Sequence, residues 1–127
     1  MLSNASGEIL IAKRKKHQDQ GGLWEFPGGK REHGEDSIDA LKRELAEELA
    51  IEIGSAELFL VQRHEYPAKI VHLEFFRVRT WRGEARGAEG QEIQWAKIEE
   101  LVNYDFPAAN SIVVEKLATS GLETATL

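Results

Sequence analysis

A chain of 127 residues fits one compact domain, and residues 1–127 read as a single unit with a frayed tail over 120–127. It has no cysteine, which excludes a disulfide framework, a thiol nucleophile and every cysteine-ligated zinc or iron–sulfur site. A formal charge of −6 argues against nonspecific binding to DNA or a membrane surface, and at first sight against any anionic substrate.

Residues 4–7 read as a turn and 8–12 (EILIA) as a short strand. The basic run 13–16 follows this apolar stretch, the reverse of a secretory leader, and no apolar run approaches the ~20 residues of a membrane span. A cytoplasmic protein with no membrane partner is expected. A polar loop over 17–22 leads to a second apolar stretch, 23–26, stopped by Pro27-Gly28-Gly29. Residues 36–50 carry the strongest helical signal: Asp36 stands where an N-cap would, Asp39 lies three residues on, and Ile38, Leu41, Leu45 and Leu49 form one stripe. Strands are expected over 58–66 and 69–80 with Pro67 in their connection, then a glycine-containing loop over 81–90 and a strand over 91–98. A helix over 109–119 turns Ile112, Val113 and Leu117 inward. This mixture predicts an α/β (α+β) domain with helices packed on a mixed sheet.

Chemistry concentrates on the central helix. Glu44, Glu47 and Glu48 stand at i, i+3 and i+4 and share one face, rotated from the apolar stripe. Like charges at that spacing repel, and a divalent cation turns the repulsion into coordination. Hard oxygen ligands suit Mg²⁺ or Mn²⁺. A solvated acidic face is the alternative.

Just before the helix, Glu25-Phe26-Pro27-Gly28-Gly29-Lys30 forms a loop whose glycines admit close approach of backbone to a ligand. Gly29, Glu35, Arg43-Glu44-Leu45, Glu47-Glu48 and Ile51 then follow at the spacing of G-x5-E-x7-R-E-U-x-E-E-x-G-U, with U a bulky apolar residue. Residues 29–51 therefore resemble the Nudix box. Ala50 replaces its last glycine and puts the end geometry of the helix in question. Trp24–Lys30, the stretch from Trp81 to Gln91, and Asp105–Asn110 are similar to segments of the MutT branch of that family, so the likeness runs from about residue 8 to 118. It implies a Nudix-type α/β/α sandwich. Such proteins begin with an apolar strand before the turn placed here at 4–7, and this chain is expected to lack it.

The resemblance implies a metal-dependent hydrolase that cuts a nucleoside triphosphate to the monophosphate and pyrophosphate. Glu47 and Glu48 become the main metal ligands, the Gly28 carbonyl a further one, Glu44 the general base or a shared ligand, and Glu89 a further acidic position. Base and ligand are not separable by sequence between Glu44 and Glu89. Arg43 reads as an orienting residue that points off the glutamate face, and Glu35 as a support of the loop–helix junction. Arg14, the Glu25-Phe26-Pro27-Gly28 segment and Asn110 are the candidate substrate contacts, and most of the 13–16 run is taken as solvated. The Asn110 amide offers a donor beside an acceptor. 8-oxo-guanine presents the complementary pair, whereas guanine presents two acceptors, so Asn110 can select the oxidised base. Its alternative role is to cap the C-terminal helix. Phe26 and Leu73 are candidate walls of a base pocket or plain core. His17, His33, His64 and His72 show no metal-binding spacing, and Trp24, Trp81 and Trp95 read as packing residues.

The expected activity is sanitation of oxidised purine triphosphates, chiefly 8-oxo-dGTP. Alternatives are a CTP or other pyrimidine triphosphate pyrophosphohydrolase, or a non-catalytic nucleotide-binding module; the intact Arg43-Glu44 and Glu47-Glu48 pairs argue against the last. The expected partner is a nucleotide and no nucleic-acid polymer, with the protein monomeric. Of the 22 acidic residues, Glu32, Glu35, Asp36, Asp39, Glu44, Glu47, Glu48 and Glu52 cluster at the box. A metal held there presents positive charge to phosphate, which removes the objection to an anionic substrate.

Overall fold

Strand β1 (Glu8–Lys13) buries four successive residues, Ile9 to Ala12, so it is covered on both faces. Alternation sends Ile9 and Ile11 into one apolar cluster and Leu10 into another. In the computed structural model, which describes residues 1–17, 21–28 and 34–120, β1 is the middle strand of an antiparallel sheet. It lies between β2 (Trp24–Glu25) and β7 (Ile93–Lys97). Helix α1 (Ser37–Leu49) supplies Leu41, Leu45 and Leu49 to the cluster containing Leu10. Helix α2 (Ser111–Ser120) supplies Val113 and Leu117 to the cluster containing Ile9 and Ile11, on the opposite face. The result is a helix on each side of a sheet, as the α/β/α expectation required. A fully buried leucine such as Leu10 or Leu45 contributes about 1.5–3 kcal/mol, and truncating it to alanine costs ~2–5 kcal/mol.

β4 (Ala56–Tyr66) and β5 (Lys69–Val78) form an antiparallel hairpin with a register shift between Leu58 and Leu60. The second strand ends two residues earlier than the pattern predicts. β3 (Glu52–Ile53) pairs with β6 (Trp81–Arg82), so Trp81 opens a strand and not a loop. A 3₁₀ turn over Ile98–Asn103 follows β7, and another over Ala108–Asn110 precedes α2. None of the described helices is long and apolar enough to cross a membrane.

The structure corrects three details. The N-terminal strand is not wholly lacking: residues 1–3 lie between β5 and β1. Leu2 bridges Val78 in parallel, and Ser3 bridges Ile9 in antiparallel fashion. The Val78 amide donates to the Met1 carbonyl at 2.8 Å, and the Leu10 amide to the Leu2 carbonyl at 3.0 Å. Met1 and Leu2 alternate between the two clusters as strand residues do. Asp36 has the extended backbone of an N-cap, but its side chain makes no capping hydrogen bond. Ile112 is 37% exposed, so the inward side of α2 is Val113 and Leu117.

The tryptophans pack as expected. Trp24 meets Tyr104 edge-on at 5.3 Å, and Trp81 stacks on Trp95 at 6.0 Å. His17 and His72 are exposed. His33 and the side chain of His64 fall outside the described residues.

Candidate active site

The helical period sets the starting geometry. Glu44, Glu47 and Glu48 leave α1 on one side while Leu41, Leu45 and Leu49 anchor the other in the core. The chain then needs partners for the last carbonyls of the helix. Ala50 supplies its own amide to the Ala46 carbonyl at 3.1 Å by adopting a left-handed conformation, φ 59°. The end geometry questioned for Ala50 is therefore the one a glycine would give. Residues after β6 complete the cap: the Arg86 amide donates to the Leu49 carbonyl at 3.1 Å and the Ala88 amide to the Glu48 carbonyl at 3.0 Å. Gln91 adds a third tie, donating from Nε2 to the Glu48 carbonyl at 2.8 Å while its Oε1 accepts the Glu89 amide at 2.9 Å. These bonds are what carry Glu89 to the glutamate face. Gln91 was not singled out by the sequence, because its partner Glu48 lies 43 residues away in the chain.

On the other side, the Gly28 amide donates to Glu48 Oε2 at 3.1 Å. Gly28 sits at φ 153°, a conformation that disfavours other residues. Burial, first, and then the charge of Glu25 push the Glu48 carboxyl up to about 8. Glu44 and Glu89 push in the same direction, and the Gly28 hydrogen bond opposes them. The raised value reflects burial first and, after it, the like charges around this carboxyl.

Arg43 takes the orienting place expected of it but does not point off the glutamate face. Its Nε and Nη2 donate to the two oxygens of Glu35 at 2.9 and 3.0 Å, and its Nη1 donates to Glu44 at 2.9 Å. Glu47, 55% exposed, lies 3.6 Å from the same guanidinium. The long arginine side chain reaches both neighbours although its Cα lies off their stripe. Glu44 and Glu47 are thus turned toward Arg43, and among the described residues no three acidic or histidine side chains converge as an ion would require.

The remaining candidates divide. Arg14 and Glu25 form an ion pair at 2.7 Å. Phe26 is 8% exposed, stacked on Phe106 at 5.1 Å and edge-on to Phe75 at 6.4 Å, so it belongs to the core more than to an open pocket wall. Pro27 is buried and Leu73 half-buried. Asn110 is half-buried in the 3₁₀ turn before α2, and its side chain makes no hydrogen bond with the described residues. The structure does not give it the capping role, since its side-chain oxygen accepts no backbone amide; Ser111 Oγ donates to the Ala108 carbonyl at 2.9 Å. Gly29 and Lys30 lie outside the described residues.

A cavity of about 210 Å³ opens at this place. Glu25, Glu48 and Glu89 line it together with Lys13, Lys15 and His17, with Ala12 and Gln91 completing the wall. Lys13 and Lys15 belong to a run read as largely solvated, and His17 begins the polar loop that follows it.

Comparison with known proteins places this arrangement. A family model described as NUDIX domain matches residues 1–116. An 8-oxo-dGTP diphosphatase of Haemophilus influenzae is 41% identical over 117 residues, covering 92% of this chain and 86% of its own. A CTP pyrophosphohydrolase of Escherichia coli is 38% identical over 109 residues, covering 86% of this chain and 81% of its own. Among solved structures, one from a study of MutT of Aliivibrio salmonicida and Vibrio cholerae superposes with a TM-score of 0.80 at 36% identity, covering 94% of this chain and 91% of that one.

Proposed function

This chain belongs to the Nudix family and is a hydrolase acting on phosphoric anhydrides, and from that premise we propose that it cuts 8-oxo-dGTP to the monophosphate and pyrophosphate. The observation that carries the reading is Glu48, bonded to the Gly28 amide and pressed by the charges of Glu25, Glu44 and Glu89. Nudix hydrolases need a divalent metal ion, and these hard carboxylate oxygens fit one. Glu47 and Glu48, with the Gly28 carbonyl, would hold it, as Mg²⁺ or Mn²⁺, once Glu47 turns from Arg43. When bound, the ion supplies positive charge for the phosphates and acidifies water.

The chain's own residues do the rest. Glu44 or Glu89 takes the proton of the attacking water, while Arg43 holds Glu44 in place through Nη1. A water oxygen bonds phosphorus, the α–β bridging bond breaks, and the leaving pyrophosphate carries away the electron pair. Arg14, anchored by Glu25, and the Glu25–Gly28 segment border the nucleotide. Asn110 reads the base, its half-buried amide left available for a donor–acceptor pair. The whole chain acts as one domain, a monomer in the cytoplasm that binds no nucleic-acid polymer.

A pyrimidine substrate is the second reading, because the CTP pyrophosphohydrolase matches at 38%, the same identity as the 8-oxo-dGTP diphosphatase of Escherichia coli. Pyrophosphate release from a nucleotide panel at low concentration separates them. Preference for 8-oxo-dGTP over dGTP and CTP by at least about tenfold in kcat/KM supports the first, and a preference for CTP overturns it. Wild type and Glu48→Gln releasing pyrophosphate at equal rates would remove the metal site from the reaction.

A further inference from the structure

We propose that Lys15 is a substrate-binding residue that holds the pyrophosphate end of the nucleotide opposite Glu48 and Glu89. The assignment rests on the pyrophosphohydrolase reading above and adds a contact to it. Lys13 ends β1, and Lys15 and His17 in the segment that follows line one cavity with it. Glu25, Glu48 and Glu89 line the same cavity. The space therefore combines basic and acidic side chains. A polyphosphate bound beside a cation on the glutamates presents its outer oxygens to the lysine.

Three observations single out Lys15. Its backbone is held, because the neighbouring Arg14 exchanges backbone hydrogen bonds with Leu23 and Gly22 at 2.8 and 2.9 Å. Gly21 packs so closely that a Cβ there would lie 2.6 Å from the Lys15 carbonyl oxygen. Its side chain spans the cavity: Nζ lies 3.6 Å from where a Cβ on Gly90 would stand, next to Glu89. Lys13 is instead drawn over the Trp24 ring at 5.8 Å, and Arg14 is paired with Glu25. The Lys15 ammonium thus reaches the Glu89–Gly90 loop, beside which a triphosphate held at the Glu48 and Glu89 carboxylates would lie. A lysine serves well there as a point charge with three donors.

Calorimetric titration of inorganic pyrophosphate with Mg²⁺, together with steady-state kinetics, tests the assignment on wild type, Lys15→Ala, Lys15→Arg and Lys16→Ala. Lys16→Ala removes the same charge from a residue that does not line the cavity. We expect Lys15→Ala to weaken pyrophosphate binding and raise KM about tenfold, with kcat changed less than about threefold. Lys15→Arg restores most of this, and Lys16→Ala and nucleoside monophosphate binding stay within about twofold of wild type. Equal losses in Lys15→Ala and Lys16→Ala, or a matching loss of monophosphate binding, overturn the assignment. A wild type that cleaves no nucleotide but shows the expected pyrophosphate pattern sinks the hydrolase reading and leaves Lys15 in its place.

Discussion

The Gly28 amide and the Glu48 carboxylate, twenty residues apart in the chain, are joined by a hydrogen bond of 3.1 Å that fastens the loop before α1 to the last turn of the helix. The same Glu48 has its carboxyl pushed up to about 8 from 4.5 by burial and by Glu25, Glu44 and Glu89. One residue is therefore both a link in the fold and a carboxyl whose ionisation the fold opposes.

Glu48 makes metal-free stability depend on pH. Between about 4.5 and about 8 the folded chain holds a proton on Glu48 that the unfolded chain has released. Stability is thus greatest below the lower value, declines as pH rises through this window, and levels off above it. Glu48→Gln keeps an oxygen for the Gly28 amide and removes the ionisation. Thermal melts without metal should show Glu48→Gln a few degrees above wild type near pH 8, with the gap closing toward about pH 5. Excess Mg²⁺ should raise wild type more than the variant, and pyrophosphate release should fall roughly 100-fold in the variant and on chelation of metal. A gap that is constant with pH would show that Glu48 does not titrate in this way.

Arg43 bonds Glu35 with two donors and Glu44 with a third, and the Arg43 and Glu35 side chains are 26% and 17% exposed. That places the pair between surface bridges worth about 0–1 kcal/mol and buried ones whose breakage costs ~3–5 kcal/mol. Arg43→Ala should cost about 1–2 kcal/mol in urea unfolding. Arg43→Lys cannot reproduce the fork and should recover less than half, with kcat reduced about tenfold. A double-mutant cycle with Glu35→Gln checks the coupling, and strict additivity would mean the two residues act separately.

Ala50 occupies the left-handed region at φ 59°. That conformation costs a non-glycine residue about 1–2 kcal/mol, while glycine forfeits ~0.4–1 kcal/mol by loosening the unfolded chain. The difference favours glycine, so Ala50→Gly should stabilise the protein by ~0.5–1 kcal/mol, or about 2–4 °C in thermal midpoint. Activity should not change, because the glutamates stay where they are. A lowered midpoint would mean the helix end relaxes elsewhere.

Asn110 carries the prediction about base choice. Asn110→Ala removes the donor–acceptor pair and should lower the preference for 8-oxo-dGTP over dGTP about 10–100-fold. The loss should come from the oxidised nucleotide, while kcat for dGTP and the thermal midpoint hold. Parallel losses on both nucleotides would assign Asn110 to structure.

Patterns that repeat over many residues were legible without coordinates. The stripe from Leu41 to Leu49 and the glutamate face set against it express a period of 3.6, β7 a period of 2, and β1, β4 and β5 are apolar, β-favouring runs. The spacing from Gly29 to Ile51 also indicated the family, by its resemblance to the Nudix box.

Only the tertiary structure decided the rest, for two physical reasons. β3, β6 and the bridging residues 1–3 are too short to show any period; their pairing exists because distant segments offer backbone partners. Side-chain choices are likewise made by neighbours remote in sequence. Asp36 does not use the cap its position offers, Arg43 turns onto the glutamates, and residues 86–91 close the end of α1 and bring Glu89 to Glu48. Lys15 lines one cavity with Glu48 and Glu89 beside Arg14, whose backbone is pinned at Leu23 and Gly22, a contact that no local preference of a basic run encodes.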